Sequence, residues 1–521
     1  MEELAAVPEG EKPFPPGSYP LLVVGSGPGG LQLSYSLRLL GVKHAVISAD
    51  EGPGGMFRRW PLFQRMLSWT KPFAPADRHS RQYERYDWNS LLGEEEELRG
   101  VQAEFMDGTS YFPSRQEMER GLTAFATRAG IAVRFGCRWE STRREVTRDE
   151  ATGKDVNEFV VVTTDGEYRA PLVVFAVGVA EPWRPSSPGV DLVPHYAEMK
   201  DEAAYAGKNV FIIGKKNSAF EIATGLLPWA RQVVLASPSP AKTSVETRSL
   251  VGIRARYVQP FEDNALGGGV FIIDASIDSI ARRGAGYEVK TRFSAGGREH
   301  TFEADEVVAA TGFQTPLRDL PRLGVSTFGQ SGLPAQKAFW ESASVSGIYF
   351  AGTITQGAAG LQKHGVPSNS GGVHGHRYNA RVLAEHVARR YFGVTPKHEE
   401  LKPDTIVDRL LDELTGVGGR GADIFHQRSY LVRVIRLASS GVADDGIQPL
   451  SHFLDVEGPD AIAATLEANA AGQIYPALYV RRDGAIREHL LDPDPLFEYR
   501  TAGNRAQIEA ALKPWLGVGV A

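Results

Sequence analysis

Gly25, Gly27 and Gly30 stand in GxGxxG spacing within Leu21-Leu22-Val23-Val24-Gly25-Ser26-Gly27-Pro28-Gly29-Gly30, and that spacing points to the capture of a pyrophosphate. Gly25 permits a tight turn, Gly27 lets phosphate approach the backbone, and Gly30 lets the following helix pack closely on the strand. The helix end then presents N–H groups and a partial positive charge to the anion. A second turn, Gly214-Lys215-Lys216-Asn217-Ser218, follows the apolar run Val210-Phe211-Ile212-Ile213, with Lys216 where the second glycine belongs and Ala219 where the third does. A Cβ at the second position crowds a pyrophosphate, whereas the lysine ammonium groups attract one. Two readings stay open there, a nicotinamide-cofactor site and a vestigial domain kept for structure. Lys242 and Arg248 are either contacts for a 2′-phosphate, which favours NADPH, or solvated loop charges.

Other chemistry-bearing residues cluster after these turns. The acid that binds a ribose hydroxyl is expected ~20 residues past the glycines, where Ser48 stands, and Asp50 takes the role from a longer turn. Gly52 to Trp60 is either a surface turn or a loop passing over a flavin ring, with Gly55, Met56, Phe57 and Trp60 as its contacts. Ser68 to Pro72, with Lys71, lines the same cavity. Gly352 closes a buried strand, and Gly371 and Gly372 open a helix. His364, His374 and His376 lie within thirteen residues of one another, a spacing that suits no zinc arrangement, so no metal is expected. They border a flavin or substrate pocket or stand at the surface. His195, His364, His374 and Lys71 are the candidate catalytic side chains.

The elements that must hold these residues follow from periodicity. Leu31–Leu40 reads as a helix stopped by Gly41, and Ala45–Ile47 as a second strand, completing a βαβ unit. A helix is expected from Gln116 to Ala129, a strand over Ala132–Phe135, a hairpin turning at Asp165-Gly166, and a buried strand from Leu172. The second βαβ unit spans Val210 to Ala236. A buried strand with a glycine exit over Ala304–Phe313, another over Gly347–Thr353 and a helix from about Ser370 return the chain to the first domain. Beyond Pro396 the expectation is a small α+β module. It has a helix near Asp404–Leu414, a strand at Tyr430–Leu437, a helix at Pro459–Ala470, a hairpin across Arg482-Asp483-Gly484 and a last helix from Ala506 to Leu516. Its role is to cover the flavin cleft or to mediate assembly.

Composition narrows the function classes. With 521 residues the chain exceeds one core and divides into several domains. A net charge of −6 without any Lys or Arg block speaks against nucleic acid. No apolar run approaches the ~20 residues of a membrane helix, and Met1 to Pro20 reads as a loose tail. Cys137 is the single cysteine, so these residues hold no redox-active dithiol, and its usage suits the cytoplasm. Cys137 reads as a small packing residue after the strand Ala132–Phe135.

Gly25 to Gly30, Gly54-Gly55, Gly214 with Asn217-Ser218-Ala219-Phe220-Glu221, and Ala310-Thr311-Gly312-Phe313 together resemble the two-dinucleotide-domain flavoproteins. That group comprises the flavin-containing monooxygenases and the related pyridine-nucleotide reductases. The resemblance runs from about Pro20 to Phe392. Within the group the chain is most similar to proteins called FAD-dependent oxidoreductase domain-containing, which share the Asn-Ser-Ala-Phe-Glu turn and the helix start Gly371-Gly372-Val373-His374-Gly375-His376-Arg377-Tyr378. Of the monooxygenase fingerprint FxGxxxHxxx(W/Y), the chain keeps Pro188-Gly189, His195 and Tyr196.

The resemblance implies an α/β chain with two Rossmann-like dinucleotide-binding domains and a C-terminal α+β module. The FAD domain spans 20–200 and 311–395, an NAD(P)-type domain is inserted at 201–310, and the module spans 396–521 after a tail at 1–19. It implies FAD in the first domain, NADPH against the second, and activation of molecular oxygen at the flavin. The expected function is an NADPH-using monooxygenase acting on a small-molecule substrate through a flavin hydroperoxide. The alternatives are an FAD oxidase or dehydrogenase with a degenerate NAD(P) domain, and a non-catalytic flavin-containing interaction protein.

Overall fold

The computed structural model describes residues 12–59, 65–148, 155–247, 252–358, 360–395, 399–416, 421–438, 441–469 and 471–516. Contacts divide the chain into two compact units. The first takes Met1–Arg58, Ser68–Gly178 and Thr315–Ala521, and the second takes Arg59–Leu67 and Val179–Gln314. Among the described residues no helix is long and apolar enough to cross a membrane.

The first unit is built on a parallel sheet in the order Ile348–Phe350, Val173–Phe175, Leu22–Val24, Ala45–Ile47. Successive strand residues face opposite sides. Val24, Ile47, Phe175 and Phe350 therefore share one core with Trp139, Phe159, Val161 and Tyr168 of an antiparallel sheet. Val23, Val46, Val174 and Tyr349, on the other side, are also fully buried, as a parallel sheet covered on both faces requires. Helix Pro28–Leu39 starts three residues before the sequence periodicity suggests, because Pro28 occupies its first position. Helix Arg115–Arg128 begins in a capping box: Ser114 Oγ accepts from Glu117 N at 3.2 Å, and Glu117 Oε2 accepts from Ser114 N at 2.6 Å.

The expected strand Ala132–Phe135 does not form. Arg134 makes only an isolated bridge to Ile47, since its neighbours turn away at Phe135 and Gly136. Cys137 instead precedes the strand Trp139–Arg148, with its Sγ 3.3 Å from Thr163 Oγ1 in the core.

Residues 399–516 belong to the first unit and carry a six-stranded antiparallel sheet. The strand order is Glu399–Leu401, Gly441–Pro449, Leu431–Ala438, Ala461–Ala468, Ile474–Arg482, Ala485–Leu490. Helices Ile406–Thr415 and Ala502–Leu516 accompany it. The helix expected over Pro459–Ala470 is a strand. Its Ala, Leu and Glu residues favour a helix by intrinsic propensity, but hydrogen bonding on both edges and burial of all eight residues of Ala461–Ala468 override that preference.

The second unit has a sheet in the order Glu299–Ala304, Gly286–Phe293, Val270–Arg283, Gln232–Ser237, Asn209–Ile213, Glu306–Ala309. Val270–Arg283 changes partner along its length, pairing parallel with Val233 to Ser237 and then, from Ala275, antiparallel with Gly286–Phe293, with a bulge between Ile277 and Ser279. Helix Asn217–Leu226 follows the second turn and buries Phe220, Ile222 and Leu226 against Ile212 and Leu235.

Candidate functional site

The first turn separates the glycines that the protein's own packing demands from the one it does not. A Cβ at Gly25 (φ +118°) would lie 2.5 Å from the Ala176 carbonyl oxygen, and one at Gly30 would lie 2.0 Å from that of Gly25. A Cβ at Gly29 would lie 2.2 Å from Gly352 Cα. Gly27 is different: a Cβ there would meet no atom of the described residues within 4 Å. Its bare backbone faces open space at the start of helix Pro28–Leu39, where first-turn N–H groups lack intrahelical partners. A bare main chain at this position leaves room for a phosphate to approach it.

Neighbouring elements close around the same point. Gly54 N donates to Ser26 O at 3.1 Å, which brings Gly55 (φ +59°) over the turn, its Cβ position 3.2 Å from Gly27 Cα and 3.8 Å from Asp50 Oδ2. Ser26 Oγ donates to Ser48 Oγ at 2.8 Å, and Ser48 Oγ donates to Asp50 Oδ2 at 3.3 Å. Asp50 is thus held beside the turn by the serine that stands at the expected acid position. Phe57 is buried, and its carbonyl accepts from Arg115 Nη1 at 2.6 Å, while Met56 is half-buried. Trp60 lies outside the described residues. The convergence of Gly27, Gly55 and Asp50 fits the pyrophosphate and ribose of an adenine dinucleotide.

Gly352 (φ +80°) brings the end of a distant strand against this turn through Gly29. Thr355 Oγ1 donates to Gly352 O at 2.8 Å, and Asn379 Nδ2 reaches Thr355 Oγ1 at 3.4 Å and Ser370 Oγ at 3.1 Å. Gly371 packs on Gln356, and Gly372 precedes the helix Val373–Phe392. His374, in its first turn, is fully buried and stacks on Trp88 at 4.3 Å, with His426 edge-on at 5.9 Å. Among the described residues neither of its ring nitrogens has a hydrogen-bond partner. Burial, reinforced by His426, Arg377 and Arg428, pushes its pKa well below the usual value, so the ring is neutral.

The other candidates are placed elsewhere. His364 is exposed, with Nε2 3.4 Å from the Tyr475 hydroxyl. Lys71 is exposed, its ammonium 5.1 Å from the Trp69 ring centre. His195 has structural duties at both nitrogens. Its Nδ1 accepts from Ala197 N at 3.2 Å and its Nε2 donates to Gly312 O at 3.0 Å, so it has neither proton nor lone pair to exchange with a substrate. Burial also lowers its pKa.

In the second turn a Cβ at Gly214 (φ +132°) would lie 2.5 Å from Ala310 O, the counterpart of Gly25 against Ala176. Lys215 is buried and ion-paired with Asp274, so its charge is neutralised within the unit. Lys216 precedes the helix and is exposed, as is Lys242. Asn217 is engaged by its own loop, its Nδ2 donating to Gly252 O at 3.0 Å and its Oδ1 accepting from Arg254 N at 3.1 Å. Ser218 is partly exposed. Arg248 lies outside the described residues. Glu221, one turn on, accepts from Tyr196 and Tyr257 hydroxyls at 2.8 Å each. Burial pushes its pKa up to about 7, against the opposing pull of Tyr257, Tyr196, Arg256 and the Arg65 backbone.

Trp88, His426, Gln427 and Glu84 were not foreseen. Ser48 carried a signal, as the residue found where an acid belongs. The others carried none, because they reach the start of helix Val373–Phe392 from segments that no spacing connects to it.

The family described as pyridine nucleotide-disulphide oxidoreductase matches residues 22–352. FAD-dependent oxidoreductase domain-containing protein 2 from Mus musculus is 24% identical over 473 residues, covering 84% of this chain and 67% of that protein. Among solved structures, a bacillithiol disulfide reductase from Staphylococcus aureus aligns at TM-score 0.54 and 16% identity over 72% of this chain and 99% of its own. An ornithine N-hydroxylase from Kutzneria sp. 744 aligns at TM-score 0.53 and 16% identity over 72% of this chain and 100% of its own. At these identities the two structures share the fold.

Proposed function

This chain belongs to the pyridine nucleotide-disulphide oxidoreductase family, and from that premise we propose that it is an FAD-dependent, NADPH-using monooxygenase of a small-molecule substrate. The observation that carries the reading is the open backbone at Gly27, bracketed by Gly55 and Asp50. Gly25, Gly27, Pro28, Gly29 and Gly30 would hold the pyrophosphate, and Asp50 a ribose hydroxyl. Gly55, Met56, Phe57, Gly352, Gly371 and Gly372 would complete the site. When bound, the flavin supplies the hydride and oxygen chemistry that side chains lack.

The remaining work falls to the chain's own residues. The helix end at Gly372 carries a partial positive charge that stabilises an anion placed there. His374, neutral and buried, holds one proton and one lone pair without adding charge. Trp88, His374 and His426 form an aromatic cluster packed at the start of that helix. Reduction of a disulfide through an internal dithiol needs two accessible cysteines. This sequence has Cys137 alone, buried in the core, and that favours oxygen transfer among the activities of the relatives.

A second reading, an FAD oxidase or dehydrogenase whose second unit is structural, is favoured by the Lys215–Asp274 pair and the Cβ of Lys216. One experiment separates the two. The FAD-loaded protein is titrated with NADPH without oxygen, and air is then admitted. Bleaching of the flavin by NADPH, followed by recovery and oxygen uptake in air, supports the monooxygenase. Flavin that NADPH leaves oxidised, but that an added substrate reduces with release of hydrogen peroxide in air, selects the second reading.

A further inference from the structure

We infer that Gln427, in the C-terminal region, is a positioning residue for the cofactor turn, acting through a buried relay that ends at Gly29. The inference rests on the reading of that turn as an FAD site. Gln427 is fully buried, and its side-chain amide is directed wholly at the start of helix Val373–Phe392. Its Nε2 donates to Ser370 Oγ at 2.9 Å and to Asn379 Oδ1 at 2.5 Å, and its Oε1 accepts from Asn369 N at 2.9 Å. Its own backbone is fixed independently of those groups, with Gln427 N donating to Asp423 O at 2.8 Å and Leu431 N to Gln427 O at 3.0 Å. The amide is therefore a fixed post from which the helix start is hung.

The relay continues without reaching solvent. Asn379, oriented by Gln427, turns its Nδ2 to Ser370 Oγ and Thr355 Oγ1, and Thr355 Oγ1 donates to Gly352 O. Gly352 abuts Gly29 so closely that Gly29 has no room for a side chain, and a Cβ at Gly352 (φ +80°) would lie 3.3 Å from Gly29 Cα. Thr355 and Ser370 are fully buried and Asn379 nearly so, so no water replaces a lost partner. Two further contacts hold the same junction: Asn369 Nδ2 donates to His426 O at 2.6 Å, and a Cβ at Gly360 would lie 2.5 Å from Ser429 O. Removing the amide leaves Asn379 Oδ1 and Asn369 N unpaired and frees the Thr355–Gly352 link to drift. The backbone cradle beside Gly27 must be held within fractions of an ångström, so drift at Gly352 appears as weaker binding.

The test uses the full chain and FAD itself. Gln427→Met keeps the volume and removes the amide, and Thr355→Val removes the hydroxyl at the far end of the relay. Tyr479→Phe alters the same region away from the relay, at the contacts to Glu467 and Glu488. FAD affinity is measured by fluorescence titration, and amide hydrogen exchange is followed over residues 352–357. Both relay variants are expected to bind FAD at least about tenfold more weakly and to exchange faster over 352–357, while Tyr479→Phe stays with the parent in both readouts. Gln427→Met and Thr355→Val variants that bind FAD like a competent parent overturn the inference and leave the function reading standing. So does exchange over 352–357 that rises equally in Tyr479→Phe. A parent that takes up no FAD removes the function reading and this inference with it.

Discussion

Lys215 commits its ammonium to Asp274. The lysine is 4% exposed and stands where Ser26 stands in the first turn, and Asp274 lies on the strand whose parallel partner ends at Ser237. A cation next to a glycine turn attracts phosphate only if its charge is not already cancelled, so this pair decides how the second unit meets a nicotinamide cofactor.

Asp274→Asn uncovers that charge. In the absence of ligand the variant should melt lower by about 1–2 kcal/mol, because a buried ammonium loses its partner and the half-exposed aspartate bounds the loss. NADPH should bind roughly 3–10-fold tighter, with the gain shrinking as salt is added. Calorimetric titration at two ionic strengths checks both signs.

Gly27→Ala and Gly29→Ala should part company. Alanine at position 27 meets no atom of the described residues, so stability without FAD should shift by less than about 0.5 kcal/mol, while FAD affinity falls by ~tenfold or more. Alanine at position 29 is driven into Gly352 and should destabilise the protein by about 1–3 kcal/mol whether or not FAD is bound. Thermal melts with and without FAD distinguish the two patterns.

Glu221 sets a pH dependence on the second unit. Its folded pKa of about 7 lies above the ordinary 4.5, so the folded unit binds the extra proton between those values. The stabilisation is complete below pH 4.5 and is lost as pH rises through about 7, by at most roughly 3 kcal/mol. Glu221→Gln should flatten that slope, as read by denaturant melts between these limits.

Glu84 works in the opposite direction. Burial raises its pKa, but Arg81, Arg381, Arg377 and the Tyr378 hydroxyl outweigh that and hold it near 2, below the ordinary 4.5. The first unit therefore keeps this contribution above pH 4.5 and loses it as pH falls toward 2, by at most roughly 3 kcal/mol. Glu84 Oε2 also accepts from Ala422 N at 3.2 Å, and His426 Nε2 donates to Glu84 O at 2.7 Å. Acid should accordingly loosen residues 421–430 first, as an early rise in their hydrogen exchange, and Glu84→Gln should remove the pH dependence of that rise.

Much of the first turn was legible in the residues. The GxGxxG spacing marks a strand, a turn and a helix because glycine sterics and helix periodicity act over a few positions, and the helix boundary moved only as far as Pro28. The helix expected from Gln116, which begins at Arg115, and the hairpin at Asp165-Gly166 are local in the same sense. Ala461–Ala468 was misread for the converse reason: its side chains suit a helix, and the strands that claim both its edges come from elsewhere. His195 was one of four candidate catalytic side chains and caps a short helix, while the Gly312 carbonyl that occupies its Nε2 is supplied by a remote loop.

From its sequence alone the chain was determined to be an α/β protein with a glycine turn in GxGxxG spacing, a modified second turn and no internal dithiol, all properties of neighbouring residues or of composition. Tertiary structure alone decided that Gly352 closes on Gly29, that Asp274 neutralises Lys215, and that Gln427 reaches the start of helix Val373–Phe392. Hydrogen bonds and ion pairs between distant residues depend on which partner packing delivers, and no spacing along the chain records that.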